Sequence, residues 1–527
     1  MGDVPTHYRY GVSMRTSRPA TVAVVVAALV TALLAGCDAP GKEQTPTLDP
    51  SASSTQGADP LAGAPAGYES YYGQTLEWES CGGGYECTDA DAPISWQDPD
   101  LGSIQLALKR LPASGDRQGS LLINPGGPGS SGVEFVTSAA SIIGDRVKGA
   151  YDLVGFDPRG VGGSAPVKCL DDADKDASLS ASYPHTTEGI AAMADDLEAW
   201  AQACDENTGE QLATVDTQSA ARDMDMLRAV LGDEQLHYLG FSYGTQLGAT
   251  YAGLFPQTVG RMVLDGAIDT TLDADEISAE QAVGFENALR AYVTDCLGGR
   301  ACPLSGSVDG GMQQIRDLLD RTLEDPLPTD SDRDLTQSLT FYGIALPLYS
   351  KANWSLLTNA LSDALEDGDG STLLYLADFY NDRQPDGSFS SNSAEAFRAI
   401  NCLDDRGNPD PDFMAEQAEE IEAAAPTMGE FFTYSGLTCA DWPVPEVEQQ
   451  FDLHASGAAP IVVVGTTNDP ATPYVWAQGL AKTLDSATLV TFEGEGHTAY
   501  GSSNDCVGDA VDDYLVDGTV PKDGLTC

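Results

Sequence analysis

A serine between glycines, Gly240-Phe241-Ser242-Tyr243-Gly244, can act as a nucleophile if the chain turns sharply around it. The flanking residues predict that turn. Residues 236–239 read as the end of a short strand, while Leu247, Tyr251, Leu254 and Phe255 recur at helical spacing over 245–255. A serine between strand and helix presents its hydroxyl at the carboxyl edge of a sheet, and the glycines remove Cβ atoms where the turn is tightest. A hydroxyl is a weak nucleophile. It needs a base, and the base needs an acid to orient it.

The chain has five histidines. His7 lies in the leader, His185 and His237 precede Ser242, and His454 precedes the last suitable acid. His497 remains, after the strand-like run 487–492. The run 461–465 leads into Thr466-Thr467-Asn468-Asp469-Pro470, which offers Asp469 as the acid. Asp265, after the run 262–264, is the second choice and reads as a turn residue before Gly266. Ser242, Asp469 and His497 fall in the chain order used by α/β-hydrolases. In that fold a loop after an earlier strand supplies one oxyanion donor, and the residue after the nucleophile supplies the other. The run 121–123 enters Asn124-Pro125-Gly126-Gly127-Pro128-Gly129, so the N–H groups of Gly127 and Tyr243 are the expected pair. A phosphate loop does not fit, because the G-x-x-x-x-G-K-[ST] spacing is missing.

Alternating elements must position these groups. Runs 93–96 and 104–109 read as a strand pair at a sheet edge, and 121–123 and 151–156 as buried strands. Residues 217–231 read as an amphipathic helix capped by Thr217. Arg159, in Asp157-Pro158-Arg159-Gly160, is expected to tie loops together by charge-assisted hydrogen bonds. The pattern predicts an α/β fold with a mostly parallel central sheet. From about 269 to 457 strand signals thin out, and helices are expected at 276–297, 312–323, 356–365 and 394–400. The expected organisation is a core over 68–268 and 458–527, interrupted by a mainly helical cap over 269–457.

The N-terminal residues read as addressing. Arg15 and Arg18 precede an apolar run, 20–35, that ends in Leu34-Ala35-Gly36-Cys37. This is an export signal over 1–36, short for a membrane span, with Cys37 as a lipidation site. Met14 would give the more usual signal length. Residues 37–67, rich in Pro, Ser, Thr, Ala and Gly, read as a disordered linker. Setting Cys37 aside, the 11 cysteines leave an even number. In an oxidising compartment they are expected to form disulfides. Pairing sequence neighbours gives Cys81–Cys87, Cys169–Cys204, Cys296–Cys302, Cys402–Cys439 and Cys506–Cys527, although spacing alone does not fix connectivity. Zinc fits poorly, because no C-x-x-C occurs. With 26 Lys and Arg against 81 Asp and Glu, the net charge of -55 disfavours nucleic acid and favours cationic ligands.

The chain resembles the secreted bacterial tripeptidyl aminopeptidases, in the proline-iminopeptidase-like family of serine peptidases. The resemblance rests on Asn124-Pro-Gly-Gly-Pro-Gly129, Asp157-Pro-Arg-Gly160, Gly240-Phe-Ser-Tyr-Gly244, Arg261-Met-Val-Leu-Asp-Gly266, Ala399-Ile-Asn-Cys402 and the stretch 465–473. It implies Ser242, Asp469 and His497 as the triad, and release of short peptides, in this family tripeptides, from free N-termini. Such a reaction requires a carboxylate in the cap to receive the substrate ammonium. Glu286, Glu395 and Asp404 are the candidates. No cofactor or metal is expected, the membrane is met only through the lipid anchor, and the protein is expected to be a monomer. An esterase or lipase on the same fold, or a non-catalytic binding lipoprotein, are the alternatives.

Overall fold

The computed structural model describes residue 61 and residues 63–527. The expected signal, Cys37 and nearly all of the linker lie outside the described residues. Among the described residues no helix is long and apolar enough to cross a membrane.

The strands are β1 Glu79–Gly82, β2 Tyr85–Pro93, β3 Ser103–Leu111, β4 Gly119–Asn124, β5 Tyr151–Phe156, β6 Leu236–Phe241, β7 Val259–Asp265, β8 Ile461–Asn468, β9 Ala487–Glu495 and β10 Leu525–Thr526. They form one sheet in the order β1-β2-β3-β5-β4-β6-β7-β8-β9-β10. Pairing is antiparallel from β1 to β5 and parallel from there to β10. This is the α/β-hydrolase fold.

Strands β4 to β7 are buried along nearly their whole length because helices cover both faces. Side chains alternate between those faces. Leu122, Val154, Tyr238, Met262, Leu264, Ile461 and Val463 join one core. Leu121, Ile123, Leu153, Leu239, Val263, Val462, Val464 and Val490 join the other.

Two local expectations are corrected. The partner of β3 is Tyr85–Pro93, and residues 94–96 leave the sheet so that Trp96 Nε1 can donate to Asp223 at 2.9 Å. The helix Thr217–Val230 is capped by Asp216, whose carboxylate accepts from Ser219 N; Thr217 is the first helical residue and its hydroxyl is used elsewhere. Arg159 does tie loops together. It is fully buried, meets both Asp223 oxygens at 2.7 Å, and donates to the carbonyls of Pro93, Ile94 and Thr214.

Between β7 and β8 the chain forms helices, chief among them Ala274–Gly298, Val308–Glu324, Gln337–Leu348, Trp354–Ser362, Ser371–Tyr380, Ser393–Asp404 and Pro411–Ala424. Leu289, Ile315, Leu319, Leu335, Ile344, Leu357 and Leu373 give the first five of these a core of their own, whereas Ala396, Ala399, Ile400 and Leu403 of Ser393–Asp404 join the core of the sheet. The segment between β5 and β6 adds Asp172–Ser180 and Thr187–Thr208. Asp176 meets Arg333 at 2.9 Å and Arg383 at 2.9 Å, which clasps this excursion to the helical segment.

Replacing Asp223 by Asn strands a buried guanidinium. It is expected to cost about 3–5 kcal/mol in urea denaturation.

Candidate active site

β6 ends at Phe241, the helix Tyr243–Leu254 begins one residue later, and Ser242 between them has φ +56° and ψ −127°. A non-glycine residue there stores about 1–3 kcal/mol, so the surroundings must impose it. Ser242 N donates to Asp265 O at 2.9 Å, and Ser242 O accepts from Thr245 N at 2.8 Å and Thr245 Oγ1 at 2.6 Å. The glycines are required by close approach. A methyl on Gly240 would lie 2.3 Å from Gly244 O, and one on Gly126 would lie 2.8 Å from Ser242 Cβ.

Asp469 follows β8 and is buried. His497 follows β9, with its Nδ1 2.8 and 3.0 Å from the two Asp469 oxygens. Asp469 also accepts from the N–H groups of Ala471, Thr472 and Thr498 at 2.9–3.2 Å, so its charge is fully solvated by donors. His497 borders the same strand end as Ser242, since a methyl on Gly266 would lie 3.2 Å from His497 Cε1. Asp265, the second choice, is also close but does other work. It is fully buried and accepts from Ala499 N at 3.0 Å and Tyr500 N at 2.7 Å. Burial pushes it up to about 6 against the pull of those amides.

Burial alone would lower the His497 pKa. The adjacent Asp469 carboxylate, its hydrogen bond and the charge of Asp265 outweigh burial, and the net shift is upward.

The Tyr243 N–H opens its helix and has no intrahelical acceptor. The Gly126-Gly127 turn, with φ +98° and +110°, packs beside it. Neither the Gly127 nor the Tyr243 N–H meets a protein acceptor among the described residues. Both residues line a cavity of about 490 Å³, walled on the other side by the helices Ala274–Gly298 and Ser393–Asp404.

The three candidate carboxylates have different fates. Glu286 does not line this cavity. It is buried and accepts from Thr427 N, Thr427 Oγ1 and Met428 N at 3.0–3.2 Å, holding a turn. Glu395 is neutralised by buried Lys175 at 2.8 Å. Asp404 does line it, at the end of a helix tied down by the Cys402–Cys439 disulfide. Its oxygens accept from Thr217 N at 2.9 Å and from Thr217 Oγ1, which also meets Tyr243 Oη at 2.5 Å. Burial pushes Asp404 up to about 7; Thr217 pulls it down and Asp216 and Asp405 push it up. The parts that Thr217 and Gly126 play at the site are weakly marked in the sequence. The paired glycines were a signal for the second, and the first carried none beyond its capping preference.

The ten described cysteines pair neighbour to neighbour: Cys81–Cys87, Cys169–Cys204, Cys296–Cys302, Cys402–Cys439 and Cys506–Cys527.

A serine on a strained elbow, an aspartate-bound histidine and two free amides can activate a hydroxyl and stabilise an oxyanion. The fold and the site define a serine hydrolase of the α/β-hydrolase class. Residues 425–527 match the family described as TAP-like protein. The chain is 39% identical to the serine protease Hip1 of Mycobacterium tuberculosis over 477 residues, covering 86% of this chain and 91% of that one. It is 38% identical to carboxylesterase B of the same species, covering 84% of this chain and 86% of that one. It is 31% identical to the tripeptidyl aminopeptidase of Streptomyces coelicolor, covering 86% of each. The chain belongs to this tripeptidyl-aminopeptidase-like family.

Asp469→Asn is expected to lower kcat by about 10⁴-fold by freeing the imidazole tautomer, whereas Asp265→Ala should destabilise the fold by orphaning two amides, at about 1–3 kcal/mol for each. The base works only when neutral. Since His497 is shifted upward, kcat/KM should rise with pH to a plateau whose midpoint lies above about 6.5, the value of a free imidazole. A pH–rate profile of the ester or amide reaction measures it.

Proposed function

We propose that the protein is an exported serine peptidase that releases short peptides, tripeptides among them, from free N-termini. His497 takes the proton of Ser242 as Oγ attacks the scissile carbonyl, and Asp469 holds the imidazole and balances its charge. The amides of Gly127 and Tyr243 receive the oxyanion, each contributing about 3 kcal/mol to the barrier reduction. His497 then passes its proton to the leaving amine, and water hydrolyses the acyl-enzyme.

The observation that carries the peptide specificity is Asp404. It is a carboxylate on the cavity wall shared with Gly127 and Tyr243; Asp216 and Asp405 press on it, and Arg406, on the same wall, donates to the Val444 carbonyl. A substrate ammonium would supply the counter-charge. The net charge of -55 would draw such substrates toward the protein. The export signal and Cys37 support a lipid-anchored location at the outer face of the bacterial cytoplasmic membrane, reached by a monomer.

The relative named carboxylesterase B favours a second reading, an esterase, because the same triad cleaves either bond. The test compares a tripeptide amide reporter with its N-acetylated form and a short acyl ester. The peptidase reading expects the free amine to be cut well, acetylation to abolish cleavage, and Ser242→Ala to remove all activity. Efficient ester cleavage with no effect of acetylation would establish the esterase.

Asp404→Asn should raise KM for the free-amine peptide about ten- to a hundredfold and leave the ester unchanged. Because binding needs the ionised carboxyl, that KM should fall as pH rises through about 7 and should lose this dependence in the Asn variant.

A further inference from the structure

His497 is gripped from outside the sheet. Tyr349 directly follows the helix Gln337–Leu348, in the helical segment between β7 and β8. Its carbonyl accepts from His497 N at 2.8 Å. The next residues, Ser350 and Gly496, form an isolated antiparallel bridge. Gly496 sits at φ +106°, and a methyl there would lie 2.9 Å from Tyr349 O, so the contact leaves room only for glycine. The Tyr349 ring stands at 90° to the imidazole, with centroids 5.4 Å apart. The ring also meets Phe285 at 5.9 Å and Tyr380 at 6.3 Å, and its hydroxyl bonds that of Tyr380. Burial raises the Tyr349 pKa, so the hydroxyl stays protonated and adds no charge of its own near Asp469.

Asp469 fixes one edge of the imidazole through Nδ1. A single hydrogen-bonded edge leaves the ring free to tilt, and a tilt moves Nε2 away from the serine. The perpendicular Tyr349 ring blocks that tilt, and the carbonyl tether fixes the backbone from which the ring projects.

We infer that Tyr349 is a positioning residue for His497, so that the helical segment, besides walling the cavity, holds the catalytic base in register. The inference rests on the acyl-enzyme chemistry of Ser242 and not on peptide specificity. Its consequence is that a residue of that segment sets the acylation rate of substrates too small to be recognised by it.

The experiment uses the whole protein and a short acyl ester, with native, Tyr349→Phe, Tyr349→Leu and Ser242→Ala forms compared. Thermal unfolding monitors integrity. Tyr349→Leu should lower kcat about ten- to a hundredfold while KM stays within about threefold, and Tyr349→Phe, which keeps the ring, should stay near native. If Tyr349→Leu does not fold, Gly496→Ala, which drives a methyl onto the tether, carries the same expectation for kcat and KM. A folded Leu variant with native kcat, or a Phe variant as slow as the Leu variant, overturns the inference. Activity that survives Ser242→Ala would instead overturn the reaction itself.

Discussion

The site depends on two buried carboxylates under one loop. Asp265 ends β7 and Asp469 follows β8, and between them they hold residues 497–500 by their ring nitrogen and amides. Burying two negative charges this close is unfavourable unless donors surround them. Here the donors belong to the base and to the backbone that carries it, so the loop cannot leave without stranding both charges. The work is divided. Asp469 touches the imidazole and tunes it, while Asp265 anchors the amides that follow and adds a smaller upward push on His497. Its Ser242–Asp265 backbone bond brings the nucleophile to the same strand end.

That constraint explains the parallel sheet. Ser242, Asp265, Asp469 and His497 come from four neighbouring strands, β6 to β9, and parallel pairing brings their carboxyl ends to one edge. The helices between β7 and β8 then close over that edge. They add Asp404 on the cavity side of Tyr243 and Tyr349 on the side of His497.

Much of this was legible in the residues. Ser242 announced itself by glycine spacing between a strand and a helix. His497 emerged by elimination in a histidine-poor chain, and Asp469 by its position after an apolar run. Strand cores were legible and their ends were not: 121–123 is part of a six-residue strand, since glycine and serine at 119–120 pair as well as apolar residues do. The long helix Thr187–Thr208 carries little sequence signal, because its charged residues blur the apolar stripe. Among the acids, sequence could not separate Asp404 from Glu286 and Glu395. What separates them is long-range: Lys175 lies 220 residues from Glu395, and Thr427 lies 141 from Glu286. Tyr349 had no signature at all, because its role comes from a carbonyl and a ring angle.

The most direct measurement of the central claim is covalent. The native protein would be treated with a serine-directed fluorophosphonate and its peptides mapped by mass. One adduct is expected, on Ser242, lost when His497 is replaced by Ala. No adduct, or an adduct on another serine that persists without His497, would contradict it.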